Sequence, residues 1–416
     1  MQEKRSCLSK YVSHLAEADK KKMRKPKTKR SVIVGGGIIG LSLAYELAKR
    51  QREVVLLEQE GFGKKASWAG AGILPPTCRS TAIHPMEVLE AISSEVHELW
   101  AEELKEMTGI DNGFRKCGGL YIARSAGEVA ALTGMQFEWE SRGILFEDLT
   151  VDEALDRLVF LNTNSRVRRD RIEPNISKAL WVPSESQFSN PTHIAALVKA
   201  CQNMGVTMCE HAGACQVQAA QGNVIGISAG KEKFVADQYF FTAGPWTERL
   251  LKPLGVALPM QPVRGQIALY KVDLVSVGID LPVINEGSRY LVPRTDGHVL
   301  AGATIEEAGF DCRTTESEVS ELRRWAESFG GILNDATFVR SWAGLRPATY
   351  DGFPYLGALG DSGAVFVATG HFKGGLHLST ATAIVLADLA EGKKPTIDLR
   401  PFSPARVTCH HSAEIK

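Results

Sequence analysis

Residues 31–40 read SVIVGGGIIG, an apolar run that breaks into glycines and leads straight into a helix-forming stretch. Val32, Ile33 and Val34 suit a strand buried on both faces. Gly35, Gly37 and Gly40 fall at GxGxxG spacing. LSLAYELAKR (41–50) has helical periodicity and ends in basic residues, which complement the helix dipole. A second apolar run, VVLL (54–57), ends at Glu58. Each residue type has a task. Gly35 permits the tight turn, Gly37 lets a pyrophosphate reach the backbone, and Gly40 lets the helix pack closely on the sheet. The helix N-terminus offers free N–H groups to the pyrophosphate, while Glu58 accepts hydrogen bonds from a ribose diol. Strand, turn, helix, strand and acid together predict a dinucleotide-binding βαβ unit. A merely structural glycine turn leaves the acid unexplained.

The next stretch separates two kinds of dinucleotide. GFGKKASWAGAGIL (61–74) opens no ordinary helix–strand repeat. Its small residues let backbone lie against a second, larger ring system, and the Ser67 hydroxyl can reach a phosphate. That pattern favours a flavin over a nicotinamide.

With 416 residues, the chain has room for two or three domains. Lys plus Arg (48) balance Asp plus Glu (48), which argues against a nucleic-acid partner. The balance is uneven along the chain: residues 1–30 hold eleven Lys/Arg against three Asp/Glu. This basic extension is predicted to be disordered. It lacks the apolar core of a secretory signal, and its acids suit a transit peptide poorly. Met23 is an alternative start, which would make residues 1–22 an over-extended reading frame. No apolar run approaches the ~20 residues of a membrane-spanning helix. The eight Cys include no CxxC pair and read as reduced thiols, so the expected location is the cytoplasm. Cys201, Cys209, His211 and Cys215 match no zinc spacing, and no metal is expected.

In the C-terminal half, VIGI (224–227) and FVADQYFF (234–241) read as a hairpin. Gly226-Ile-Ser-Ala-Gly230 matches GxSxG formally, but another strand follows where a nucleophile elbow needs a helix, so Ser228 reads as a hairpin residue. Thr242-Ala-Gly-Pro-Trp246 turns into a helix, and Gly244 lets backbone pass close to cofactor or sheet. The strands around 260–305, with a turn at Asp296-Gly297, suggest an antiparallel sheet in a second domain. Arg346, before Pro347, reads equally as a structural ion-pair member or a bidentate carboxylate clamp. After the strand VFVA (365–368), the turn TGHFKGGLHLS (369–379) opens a helix whose N-terminus would favour the negative charge of a reduced flavin. His371 and His377 have no third metal ligand nearby.

GGGIIG with its acid, ASWAGAGIL, WAGLRPATYDGFPYLG and TGHFKGGLHLSTATA, in this order, resemble the D-amino-acid oxidase superfamily, and within it the glycine oxidase branch. The similarity runs over residues 31–404. It implies an α/β fold, with a Rossmann-like FAD-binding domain and an interleaved α+β substrate domain carrying a large mixed or antiparallel sheet. The expected FAD domain is 31–85, 190–250 and 338–405. The expected substrate domain is 86–189 and 251–337, with residues 87–107 as a helix outside its sheet. FAD would be held non-covalently, since no Cys lies in the GHFKGG loop or between Thr349 and Leu356. Ile38 and Ile39 would sit at the pyrophosphate, and Glu58 and Gln59 at the ribose. Ala66, Ser67, Ala71, Gly72 and Ile73 would line the phosphate-to-flavin stretch, with Ala214 at the adenine. His371, Phe372, Lys373, Gly374, Gly375, Leu376 and His377 would run along the isoalloxazine. Arg346 and Tyr290 would hold a substrate carboxylate, with Lys373 as a third active-site group where relatives carry Arg. Ser288 and Trp68 also depart from the relatives, which have His and usually Ala there.

The implied reaction oxidises a small amino acid (glycine, sarcosine or a small D-amino acid) by hydride transfer to flavin, giving a 2-oxo acid, ammonia and, with O2, hydrogen peroxide. A branch of the family supplies the thiazole of thiamine with the imine of glycine. Amino-acid dehydrogenases that reduce a quinone and 2-hydroxy-acid oxidoreductases are the alternatives. Family members often form homo-oligomers.

Overall fold

The computed structural model describes residues 29–158, 175–272, 281–330, 333 and 336–410. The basic extension lies outside the described residues up to residue 28, and the expectation of disorder lies there with it. Two large sheets organise the chain. The first has six strands in the order β18-β19-β12-β1-β2-β8. These are β1 (Arg30–Val34), β2 (Glu53–Leu57), β8 (Thr207–Cys209), β12 (Gln238–Phe241), β18 (Tyr355–Ala358) and β19 (Val365–Thr369). All pair in parallel except β18 at the edge. Val32, Ile33, Val55 and Leu56 are buried, as strands covered on both faces require.

The second sheet has eight strands in the order β17-β13-β16-β15-β14-β4-β6-β5. They are β4 (Gly119–Ala123), β5 (Glu147–Leu149), β6 (Lys178–Val182), β13 (Met260–Lys271), β14 (Val283–Glu286), β15 (Arg289–Pro293), β16 (His298–Gly302) and β17 (Thr337–Thr349). Only β14 and β4 run parallel, so this is the expected mixed sheet. A two-stranded ribbon, β3 (Ile73–Leu74) with β7 (Ser186–Gln187), and a meander of β9 (Cys215–Ala220), β10 (Asn223–Ala229) and β11 (Glu232–Phe234) complete the strands. Ser228 lies within β10, paired on both sides, and is a sheet residue.

Four helices pack on the parallel sheet: α1 (Ile38–Lys49), α2 (Pro85–Thr108), α3 (Asn190–Asn203) and α4 (Gly375–Ala390). Here the structure corrects the sequence reading. Helix α2, expected outside the substrate sheet, buries Leu89, Val96, Trp100 and Leu104 in the same core as α1, α3 and α4. Their spacing forms one helical stripe. Tyr45 of α1 stacks edge-on against Trp100 at 4.8 Å, and both Tyr45 and Lys49 donate to Glu103. One strand reading also changes. Residues 234–241 are not one strand: Phe234 ends β11, and β12 starts at Gln238 after Ala236 N–H has turned back to the Tyr239 hydroxyl. β17 runs through Pro347 because it is a sheet edge, where a missing N–H is tolerated. Residues 338–349 therefore belong to the mixed sheet.

Candidate active site

The glycine turn is shaped by contact. Gly35 has φ +111°, and a Cβ there would stand 2.7 Å from the Ala243 backbone. A Cβ on Gly40 would stand 1.9 Å from the Gly35 carbonyl, so helix and turn touch only because both residues are glycine. Thr242 Oγ1 donates to the same carbonyl at 2.8 Å. Helix α1 begins behind Gly37, which has no side chain to cap it, and Ile38 N–H donates to Ser67 Oγ at 2.8 Å. The hydroxyl thus stands at the positive end of the helix, where a phosphate would lie. Glu58 ends β2 with one carboxylate oxygen on Gly36 N–H (2.7 Å) and the other on Glu60 N–H (3.0 Å), so it also braces the turn. Glu58 pairs through its backbone with Cys209 and Ala212. That brings exposed Ala214 and exposed Gln59 to the same end of the sheet.

The segment 66–73 runs from there toward the mixed sheet, held by its own carbonyls. Asn190 Nδ2 donates to Ser67 O (3.2 Å) and to Gly70 O; Trp342 Nε1 donates to Ala69 O (3.1 Å). Arg294 donates to Ala71 O, to Phe188 O (2.8 Å) and to Gln187 Oε1 (2.7 Å). Burial pushes the Arg294 guanidinium down to about 10. Gly72 has φ +69°, and a Cβ on it would meet Phe188 O at 2.1 Å. Sequence reasoning missed Asn190, Arg294 and Trp342. Asn190 and Arg294 carry no motif; Trp342 stands inside a quoted one and still gave no sign of its role.

The second lining segment meets the first: a Cβ on Gly70 would lie 2.6 Å from Leu376 Cδ1. Residues Phe372–Gly374 form a 3-10 turn ahead of α4, with Phe372 at φ +46°, a conformation a non-glycine residue rarely adopts. His371 Nε2 bonds the Thr382 hydroxyl (3.1 Å) and His377 Nε2 the Ser94 hydroxyl (2.8 Å). Burial pushes both imidazoles down to about 3, so they are neutral. Their rings are committed to the core, which leaves backbone as what His371 and His377 offer a cofactor. Gly244 supports this end through its carbonyl, which accepts from Thr369 Oγ1 at 2.8 Å.

Arg346 lies on β17. Its guanidinium covers Gly265 of β13, where a Cβ would come within 2.1 Å of Nη2. Tyr290 of β15 covers Gly302 of β16 in the same way: a Cβ there would be 2.7 Å from the ring. These two glycines, which the sequence did not single out as site residues, clear the floor on which Arg346 and Tyr290 lie. Arg346 Nη1 donates to Thr304 O (3.0 Å) and has no carboxylate partner among the described residues. Burial lowers its pKa, and the nearby Tyr290 hydroxyl opposes that shift. The ion-pair alternative for Arg346 is therefore not what the structure has; nearby Glu306 pairs with Arg264 at 2.6 Å instead. His371 pairs with Ala348 in an antiparallel bridge, which brings Lys373 beside β17. Partial burial, then the Arg346 charge, lowers the Lys373 ammonium below its ordinary value.

The cradle fits FAD: an uncapped helix terminus with a hydroxyl, an acid beside the turn, and two glycine-rich segments leading to a cationic carboxylate-type site. Comparison with known proteins agrees. The family model for FAD dependent oxidoreductases (DAO) matches residues 30–389. A glycine oxidase of Geobacillus kaustophilus is 32% identical over 375 residues, covering 90% of this chain and 96% of that protein. The crystal structure of glycine oxidase from Geobacillus kaustophilus superposes with a TM-score of 0.80 at 31% identity, covering 91% of this chain and 99% of that one. A bifunctional protein ThiO/ThiG of Synechocystis is 29% identical over 382 residues, covering 90% of this chain and 53% of that protein. The chain belongs to the DAO family of FAD-dependent oxidoreductases, and FAD is its cofactor.

Proposed function

We propose that this enzyme is an FAD-dependent amino-acid oxidase whose substrate is a small amino acid: glycine, sarcosine or a small D-amino acid. The observation that carries the reading is Arg346 with Tyr290: a guanidinium without a carboxylate partner among the described residues, laid on a glycine floor beside the segments proposed to line the cofactor. Arg346 presents its planar fork to the substrate carboxylate and Tyr290 adds a hydroxyl, which fixes the α-carbon in one orientation. Lys373 adds positive charge on the same side. FAD held by these segments would supply the two-electron oxidant for the α-carbon hydrogen, with oxygen as the final acceptor giving hydrogen peroxide. Burial around Arg346 and Tyr290 excludes water from the carboxylate contact and strengthens it. The oxidised substrate is an imino acid, which water converts to a 2-oxo acid and ammonia, or methylamine where the substrate is sarcosine. The likeness to the ThiO/ThiG protein supports the use of that imine for the thiazole of thiamine.

The test is anaerobic addition of glycine, sarcosine and D-alanine to the purified flavoprotein. Bleaching that reverses in air, with peroxide and ammonia formed (methylamine from sarcosine), supports the reading. A flavin that stays oxidised with all three removes it. Bleaching that air does not reverse selects a dehydrogenase.

A further inference from the structure

Trp68 and Trp342 form a second feature beside the clamp. Register places them. Gly265 pairs with Gly344, and the next row on the same face is Ile267 with Trp342. That row continues through Gly302 to Tyr290. Two residues of strand advance ~7 Å, so Trp342 stands one step along the sheet from the floor of the Arg346 guanidinium. It packs with Tyr290 against the same apolar cluster as Ala71. Its ring lies 5.0 Å from that of Trp68, and Nε1 is tied to Ala69 O at 3.1 Å. Arg340, next but one along β17, stacks over both rings at 5.0 Å and 5.5 Å. Indole, indole and guanidinium thus close one side of the place where a clamped carboxylate would direct its α-substituent.

We propose that Trp342, backed by Trp68 and Arg340, is the wall that limits the size of the substrate's α-substituent. This deepens the proposed function and rests on the assignment of Arg346 as carboxylate clamp. A bulky group on the α-carbon meets indole edges that cannot yield, because Trp68 fills the space behind and Arg340 covers the stack. Glycine-sized substrates lose nothing to this wall.

The test uses binding, so it does not depend on turnover. Acetate and phenylacetate differ by a phenyl group on the α-carbon; each is titrated into the wild-type holoenzyme, Trp342→Ala and Trp68→Ala, and flavin absorbance reads occupancy. The wild type is expected to bind acetate well and phenylacetate poorly. The ratio should move by about tenfold or more toward phenylacetate in both variants. Equal binding of the two acids by the wild type, or an unchanged ratio in the variants, overturns the wall. Failure of the wild type to bind either acid overturns the clamp instead. Should an alanine variant shed its flavin, Trp342→Leu and Trp68→Leu give the same reading with most of the volume kept.

Discussion

Arg346 depends on an absence. Its guanidinium occupies the position where any β-carbon on residue 265 would be, 2.1 Å from Nη2. Gly265→Ala should therefore displace the clamp without touching it covalently. We expect kcat/KM for a small amino acid to fall about 10- to 100-fold, mostly through KM, with flavin content unchanged; steady-state kinetics beside the flavin absorbance ratio would check this. Arg346→Ala removes the charged contact outright, about 2–5 kcal/mol for a buried charge-assisted pair, so the loss should exceed that of Gly265→Ala while FAD stays bound. Near-normal turnover in Arg346→Ala would refute the clamp. Glu58→Lys acts at the other end. It loses the acceptor for Gly36 N–H (2.7 Å) and, on the proposed assignment, a ribose partner, and the purified variant should retain less flavin than the wild type.

Among the elements, the meeting of α2, α3 and α4 holds three buried histidines. His97 Nε2 bonds the carbonyl of His377 at 2.8 Å, and His193 bonds Asn112 at 3.0 Å. Burial pushes His97 down to about 4 and His193 and His377 to about 3; the proximity of His97 adds to the latter two. Folding keeps them neutral, whereas the unfolded chain takes up protons near the ordinary 6.5. Their contribution to stability is complete above about pH 6.5 and is lost as pH falls toward the folded values, at roughly 1–2 kcal/mol each by about pH 5. Melting temperature should drop across that window, and His97→Asn should flatten the slope. The mixed sheet has the opposite device. Glu185, buried with Tyr121 and Asn285 as donors, is pushed up by burial to about 7. Its contribution is full below about 4.5 and is lost as pH rises through 7. Glu185→Gln should stabilise the protein above pH 7, by about 1–3 kcal/mol, as read by denaturant titration.

For the whole molecule, the segments proposed to line FAD, 35–40, 66–73 and 371–377, lie far apart in the chain, and loss of the cofactor should weaken the packing of the parallel sheet's helices together. Adding excess FAD to flavin-depleted protein should raise the melting temperature by several degrees, through about 3–4 kcal/mol of linkage at a thousandfold excess over Kd. The nucleotide end was legible because its constraints are local: a strand, three glycines, a helix start and an acid lie within 28 residues, Ser31 to Glu58. The resemblance supplied Arg346 and Tyr290, and the strand runs over 260–305 with a turn at Asp296-Gly297 announced the second sheet. What the sequence could not show depends on contacts between distant segments. Helix α2 has an apolar stripe that would serve either sheet, and only the packing of Trp100 against Tyr45 assigns it to the first. Gly265 and Gly302 look like any strand glycines until Arg346 and Tyr290 lie across them. Asn190 and Arg294 gain their role from the carbonyls of 67–71 that reach them. The chain by itself determined which cofactor it holds, because backbone shape around a pyrophosphate is set by neighbouring residues. Tertiary structure alone decided what surrounds Arg346 and Tyr290, because that surface is assembled across strands and no single segment contains it.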